Sequence, residues 1–178
     1  FTILYAQRAI DVNECEDVTI EFNTMRSAHH GIRLWDGSKD VVVRANYYSM
    51  NQYADTSDAD LASDVYMCRK NGGFADVYGI EVARSIGGVT VMDNLVEDGF
   101  AGIVSGWEWP YDVEIGNNIG VEVARNRVGG QIGGGLRVRG QATGHRWHHN
   151  VVENCKVGLR AWGLDAGELY FHDNLFLD

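Results

Sequence analysis

Proline, cysteine, positive charge and long apolar runs are all scarce in this chain. Among 178 residues there is one proline, Pro110, so the corners fall to the 22 glycines and to short polar bends. Three cysteines make an odd count with no Cys-x-x-Cys spacing, which supports neither a disulfide scaffold nor a zinc site. Cys68 and Cys155 read as small core fillers, and Cys15 falls in a polar corner. Fifteen Lys and Arg against 25 Asp and Glu leave a formal charge of −10, which argues against nucleic acid as a partner. An anionic ligand is not excluded, because local clusters set local fields. No apolar run reaches the roughly 20 residues that a membrane-spanning helix needs. The hydrophobic content of 45% still suffices for one core, and no linker divides the chain, so residues 1–178 are expected to form a single domain.

What the chain has is a repeat. Seven asparagines, Asn23, Asn46, Asn71, Asn94, Asn126, Asn150 and Asn174, recur at steps of 23, 25, 23, 32, 24 and 24 residues. Three residues before each stand Ile20, Val43, Cys68, Val91, Val123, Trp147 and Phe171. Five before stand Val18, Val41, Tyr66, Val89, Val121, His145 and Leu169, and two after stand Met25, Tyr48, Gly73, Val96, Val128, Val152 and Phe176. Eight after come Gly31, Ala54, Gly79, Gly102, Gly134 and Gly158. Apolar residues two apart put one face of a strand inward. One coil of about 24 residues cannot bury that face alone, so coils must stack and pair in parallel. The pattern predicts an all-β fold: a right-handed, single-stranded parallel β-helix of about seven coils. The asparagines are expected in left-handed bends, with their amides bonded from coil to coil as a ladder. The glycines are expected to mark backbone corners. Ala9-Ile10-Asp11-Val12 aligns with Gly31-Ile32-Arg33-Leu34, so the chain enters part-way round a coil and also stops part-way round one. An excerpt of a longer β-helix is the expectation, with end-to-end stacking or a homo-oligomer covering the open sheet edges.

Inward columns are committed to packing, so chemistry is sought on outward positions and irregular corners. In the strand after the glycine, one outward row reads Arg33, Glu81, Val104, Arg137 and Arg160. Its neighbour reads Trp35, Ala83, Trp107, Arg139 and Trp162. Guanidinium groups match carboxylates or sulfates, and indole faces suit the apolar faces of sugar rings. Spaced one coil apart they would line a groove for an extended anionic chain; alternatively, they stack on one another. Asp55, Asp58, Asp60 and Asp64 crowd an irregular loop at the edge of this face. Clustered carboxylates are Ca²⁺ ligands or an acid–base pair for glycoside hydrolysis, and a solvated acidic loop is the plain alternative. His148 and His172 are expected to stack on a different sheet. His145 reads as a hydrogen-bonded core histidine, and His29 and His30 lie in the bend leading to Arg33.

These columns resemble the repeat of the pectin-lyase-like superfamily over essentially the whole chain. In that superfamily the asparagine ladder follows the second sheet, and carbohydrate binds along the outer face of the first. By position, the resemblance puts sugar on the face of Arg33, Trp35, Arg137, Arg139, Arg160 and Trp162. It implies a secreted or surface location, extracellular or on a cell or virion. Its members include uronate-polysaccharide lyases, hydrolases, epimerases, tailspikes and non-enzymatic surface proteins. No Asp-Pro-His motif of the epimerase kind occurs, since Pro110 follows Trp109.

The expected function is binding of an acidic polysaccharide and its cleavage by β-elimination. Arg137, Arg160, Glu81 and Asp58 are the candidate catalytic residues, and Arg33, Trp35, Trp107, Arg139 and Trp162 the substrate-binding ones. Asp55, Asp58 and Asp60 would hold Ca²⁺. The alternatives are a non-catalytic β-helical structural or adhesion module and a glycoside hydrolase using clustered carboxylates.

Overall fold

In a computed structural model, residues 1–4, 6, 8–26, 30–49, 78–106, 118–131, 133–140, 142–162 and 168–178 are described. They form short strands and no helix. Three parallel sheets take up nearly all of these strands, and the chain visits the sheets in strict rotation. The second sheet holds Thr19–Glu21, Val42–Arg44, Val89–Met92, Val121–Ala124, His145–His148 and Leu169–His172. From each of these the chain passes into the third sheet, whose seven strands begin at Thr2–Leu4 and end at Leu175–Leu177. It then enters the first sheet, made of Arg8–Asn13, His30–Trp35, Tyr78–Val82, Ala101–Ser105, Gly134–Arg139 and Leu159–Trp162. A small extra pair joins Asn118–Ile119 to Ala142–Thr143.

The core lies between the three sheets. Ile20, Val43, Val91, Val123 and Trp147 form one buried column, and Met25, Tyr48, Val96, Val128 and Val152 another. Ile32, Ile80, Ile103 and Leu136 form a third from the first sheet. Each such side chain, fully buried, contributes about 1.5–3 kcal/mol. Every coil therefore leans on its neighbours, as the alternation in the sequence requires.

The asparagine ladder is present. Asn23 donates its amide to Asn46 Oδ1 at 3.0 Å, Asn94 to Asn126 at 2.9 Å, Asn126 to Asn150 at 3.0 Å and Asn150 to Asn174 at 2.9 Å. Each acceptor oxygen also takes the backbone N–H of the preceding rung. One step departs from the predicted repeat. Asn46 donates directly to Asn94 Oδ1 at 3.0 Å, and Tyr47–Ser49 pairs directly with Leu95–Glu97. Asn71 lies outside the described residues; among those described, the rung after Asn46 is Asn94. The third sheet still has seven layers, because Thr2–Leu4 adds one below Thr24–Arg26.

The bend is left-handed, but one residue earlier than expected. Phe22, Ala45, Asp93, Arg125, His149 and Asp173, each directly before a ladder asparagine, have φ between 51° and 56°. The asparagines themselves are not left-handed: they stitch the bend together and their predecessors make it.

The glycine column also has a different cause. A Cβ on Gly79 would meet Val96 Cγ1 at 2.2 Å and the Gly102 carbonyl oxygen at 2.7 Å. Gly31 faces Tyr48 in the same way, and Gly102 faces Val128. These glycines are the holes into which the next coil's core residue fits, so close approach selects them rather than a corner conformation. In the strand Gly134–Arg139 the column passes through Gly135 instead of Gly134, because Ala101 pairs with Gly134 and Ile103 with Leu136. A Cβ on Gly135 would meet Val152 Cγ1 at 2.3 Å.

Candidate functional site

The register of the first sheet brings the predicted row together. Arg33 pairs with Glu81, Glu81 with Val104, Val104 with Arg137, and Arg137 with Arg160. The neighbouring row runs through Arg139 to Trp162, whose side chain lies outside the described set. Trp35 and Trp162 therefore share one sheet, four strand spacings apart, or roughly 19 Å. Register aligns Gly106 with Arg139, not Trp107, because Ser105 pairs with Val138. Trp107, Asp55, Asp58 and Asp60 lie outside the described residues.

The row is a buried charged layer over most of its length, whereas the sequence predicts an open groove. Arg33 is 8% exposed, Arg137 and Arg139 2% each, and Glu81 0%. Arg160 is exposed and Trp35 half-buried. The Glu81 carboxylate sits 3.2 Å from His30 Nδ1 and 3.5 Å from Arg33 Nε, through the same oxygen. The Arg33 guanidinium lies 3.7 Å from the centre of the Trp35 ring, and Arg137 lies 4.5 Å from that of Phe100. Arg139 Nη2 donates to the Tyr78 hydroxyl at 2.8 Å. Tyr78 also packs with Ala101, Val104 and Phe100 in a second apolar cluster, separate from the main core.

Tyr78 escapes the sequence reading, and His30 enters it only as a bend residue. Both stand immediately before a column glycine and pair with each other across the sheet. The glycine interrupts the two-residue alternation, so the residue before it faces the same way as the one two after it. That position was the available signal: an aromatic or imidazole ring just ahead of the repeated glycine. Their rings meet edge to face at 5.5 Å.

Carboxylate, imidazole, phenol and three guanidiniums thus share one face. Ionisable groups gathered out of water on one face mark a functional-site candidate. Among the described residues, this face gathers three guanidiniums around the single Glu81 carboxylate.

The other predicted residues fall as follows. His148 and His172 do stack, with rings 4.9 Å apart and 6° from parallel, on the second sheet. His145 is buried, and among the described residues neither ring nitrogen makes a well-formed hydrogen bond, the Asn118 backbone being its nearby polar group. Burial lowers its pKa to about 4, only partly offset by the nearby Asn118 backbone. Cys155 packs against the core, and burial pushes its thiol up, away from reactivity. Cys15 donates to the Asn13 carbonyl.

Compared with family models, curated proteins and solved structures, the chain matches none. Fold and site together define a class: an all-β chain of stacked parallel strands, stitched by an asparagine ladder and bearing a charged layer on one outer face.

Proposed function

We propose that the three sheets wind as one right-handed parallel β-helix, and that the outer face of the first sheet binds and cleaves an acidic, uronate-containing polysaccharide by β-elimination. The rotation of the chain through the sheets supports the winding, and right-handed crossovers are the strong rule for parallel strands. The observation that carries the activity is the single row of Arg33, Glu81, Arg137 and Arg160, with Arg139, His30 and Tyr78 beside it.

In this reading Arg137 and Arg160 neutralise the uronate carboxylate, which makes the adjacent C5 proton more acidic. A base takes that proton, the electron pair forms the C4–C5 double bond, and the glycosidic oxygen leaves from C4 with a proton from an acid. Tyr78 beside Arg139 and His30 beside Glu81 are the groups of the right chemistry for that exchange. Trp35 and Trp162 would position sugar rings, and Asp55, Asp58 and Asp60 remain the candidates for Ca²⁺. A substrate of this kind fits an extracellular, cell-surface or virion-surface setting. Hydrolysis ranks lower, because it needs two carboxyl groups, and Glu81 is the one buried carboxylate among the described residues.

Burial of the row favours a second reading, a non-catalytic β-helical module in which these charges satisfy one another. Incubation with a panel of uronate polymers, with and without Ca²⁺, separates the two. Elimination yields unsaturated products and rising ultraviolet absorbance. Arg137→Lys and Glu81→Gln should each lower that rate about 100-fold with unchanged circular dichroism. No product from any polymer would overturn the lyase and leave the structural module.

A further inference from the structure

On the second sheet, at the left-handed bend, the stack gathers a second set of chemically able side chains. His148 and His172 are register partners, and His149 and Asp173 follow them at the bend with φ of 56° and 53°. Asp173 Oδ2 lies 2.9 Å from His172 Nδ1 and 3.8 Å from His149 Nε2. One ligand atom from each of His149, His172 and Asp173 falls within 4.8 Å of the other two. Bonds of about 2.0–2.1 Å in a tetrahedral site place ligand atoms about 3.4 Å apart, so these separations bracket what such a site needs.

A chain of polar contacts leads into this corner. Glu122 Oε1 lies 3.0 Å from His148 Nε2, so that nitrogen carries the hydrogen and donates. On its other side, His148 Nδ1 lies 2.8 Å from His149 Nδ1. His149 Nε2, its far nitrogen, faces Asp173 Oδ2 at 3.8 Å. A carboxylate that orients a ligating imidazole through its far nitrogen is the usual second layer of a metal site, here extended by one histidine. The backbone is held as well: Asn150 and Asn174, the next residues along, are bonded ladder rungs.

We propose that His149 Nε2, His172 Nδ1 and Asp173 bind a divalent transition-metal ion of the zinc class, with water completing the coordination. Two imidazoles and a carboxylate suit such an ion, whereas Ca²⁺ takes oxygen ligands alone. On binding, the His172 Nδ1 proton is released to solvent. The site lies on a different sheet from the charged layer and does not depend on the proposed activity.

The test is calorimetric titration of the tag-free chain with Zn²⁺ at pH 7.5, repeated with Ca²⁺. One equivalent of Zn²⁺ should bind saturably, with no comparable Ca²⁺ signal. His149→Asn, which keeps a residue suited to the left-handed bend, and His172→Gln should each weaken Zn²⁺ binding at least tenfold with unchanged circular dichroism. Glu122→Gln should weaken it about tenfold by removing the orienting carboxylate. Absence of one-equivalent binding, equal binding of Ca²⁺, or undiminished affinity in the His149 and His172 variants would overturn the site.

Discussion

At the scale of the residue, His145 carries the largest consequence. Its neighbours in the inward column are Val121 on one side and Leu169 on the other. An imidazole there is buried, and neither nitrogen has a well-formed hydrogen bond among the described residues. The unfolded chain binds a proton on this residue near pH 6.5, while the folded one does so only near pH 4. Between those values the unfolded state holds more protons, so stability falls as pH falls, by about 1.4 kcal/mol per unit and about 3 kcal/mol in all. His145→Leu should raise stability at pH 7.5 by about 1 kcal/mol or more, because two stranded polar atoms leave the core. It should also flatten the slope between pH 6.5 and 4. Urea denaturation of both proteins at pH 7.5, 6 and 5 checks this, and an unchanged slope in the variant would refute it.

At the scale of the element, the ladder decides more than any one strand. Asn94 donates to Asn126, Val43 O and Met92 O, and accepts from the amide and backbone of Asn46. Asn94→Ala strands several buried groups at once and should cost about 3 kcal/mol or more by chemical denaturation. Asn174→Ala, at the half-buried last rung, should cost distinctly less. Equal losses would mean that the rungs act independently of depth. The sequence showed this ladder and its inward columns because both depend on single residue types at a fixed interval. The direct step from Asn46 to Asn94 was not legible, because Cys68 and Tyr66 before Asn71 match the inward pattern in the sequence. Burial of Arg33, Glu81, Arg137 and Arg139 was not legible, since outward alternation marks the face of a sheet but not what lies over it. The site under His149 and Asp173 was hidden for a similar reason. Left-handed geometry falls on the residue before the asparagine, which is where His149 and Asp173 stand, 3.8 Å apart.

At the scale of the whole molecule, contacts run between neighbouring coils and seldom further, so stability is a sum over adjacent layers. The middle layers have neighbours on both sides. Leu175, Phe176 and Leu177 are all exposed, as are Phe1 and Leu4. Amide hydrogen exchange followed by mass spectrometry should therefore show slowest exchange in Val89–Met92, Ala101–Ser105 and Val121–Ala124. Thr2–Leu4 and Leu175–Leu177 should exchange first. Uniform protection across all layers would contradict a nearest-neighbour stack. One junction shows what such a stack permits. Asn46 and Asn94 join across 48 positions of chain with the same geometry that others achieve across 23 or 24. Closing a longer excursion costs only about 0.6 kcal/mol for each doubling of its length. The ladder thus keeps one geometry over chain steps of 23, 24, 32 and 48 residues, and a segment inserted between Ser49 and Tyr78 should leave every rung's bonds in place.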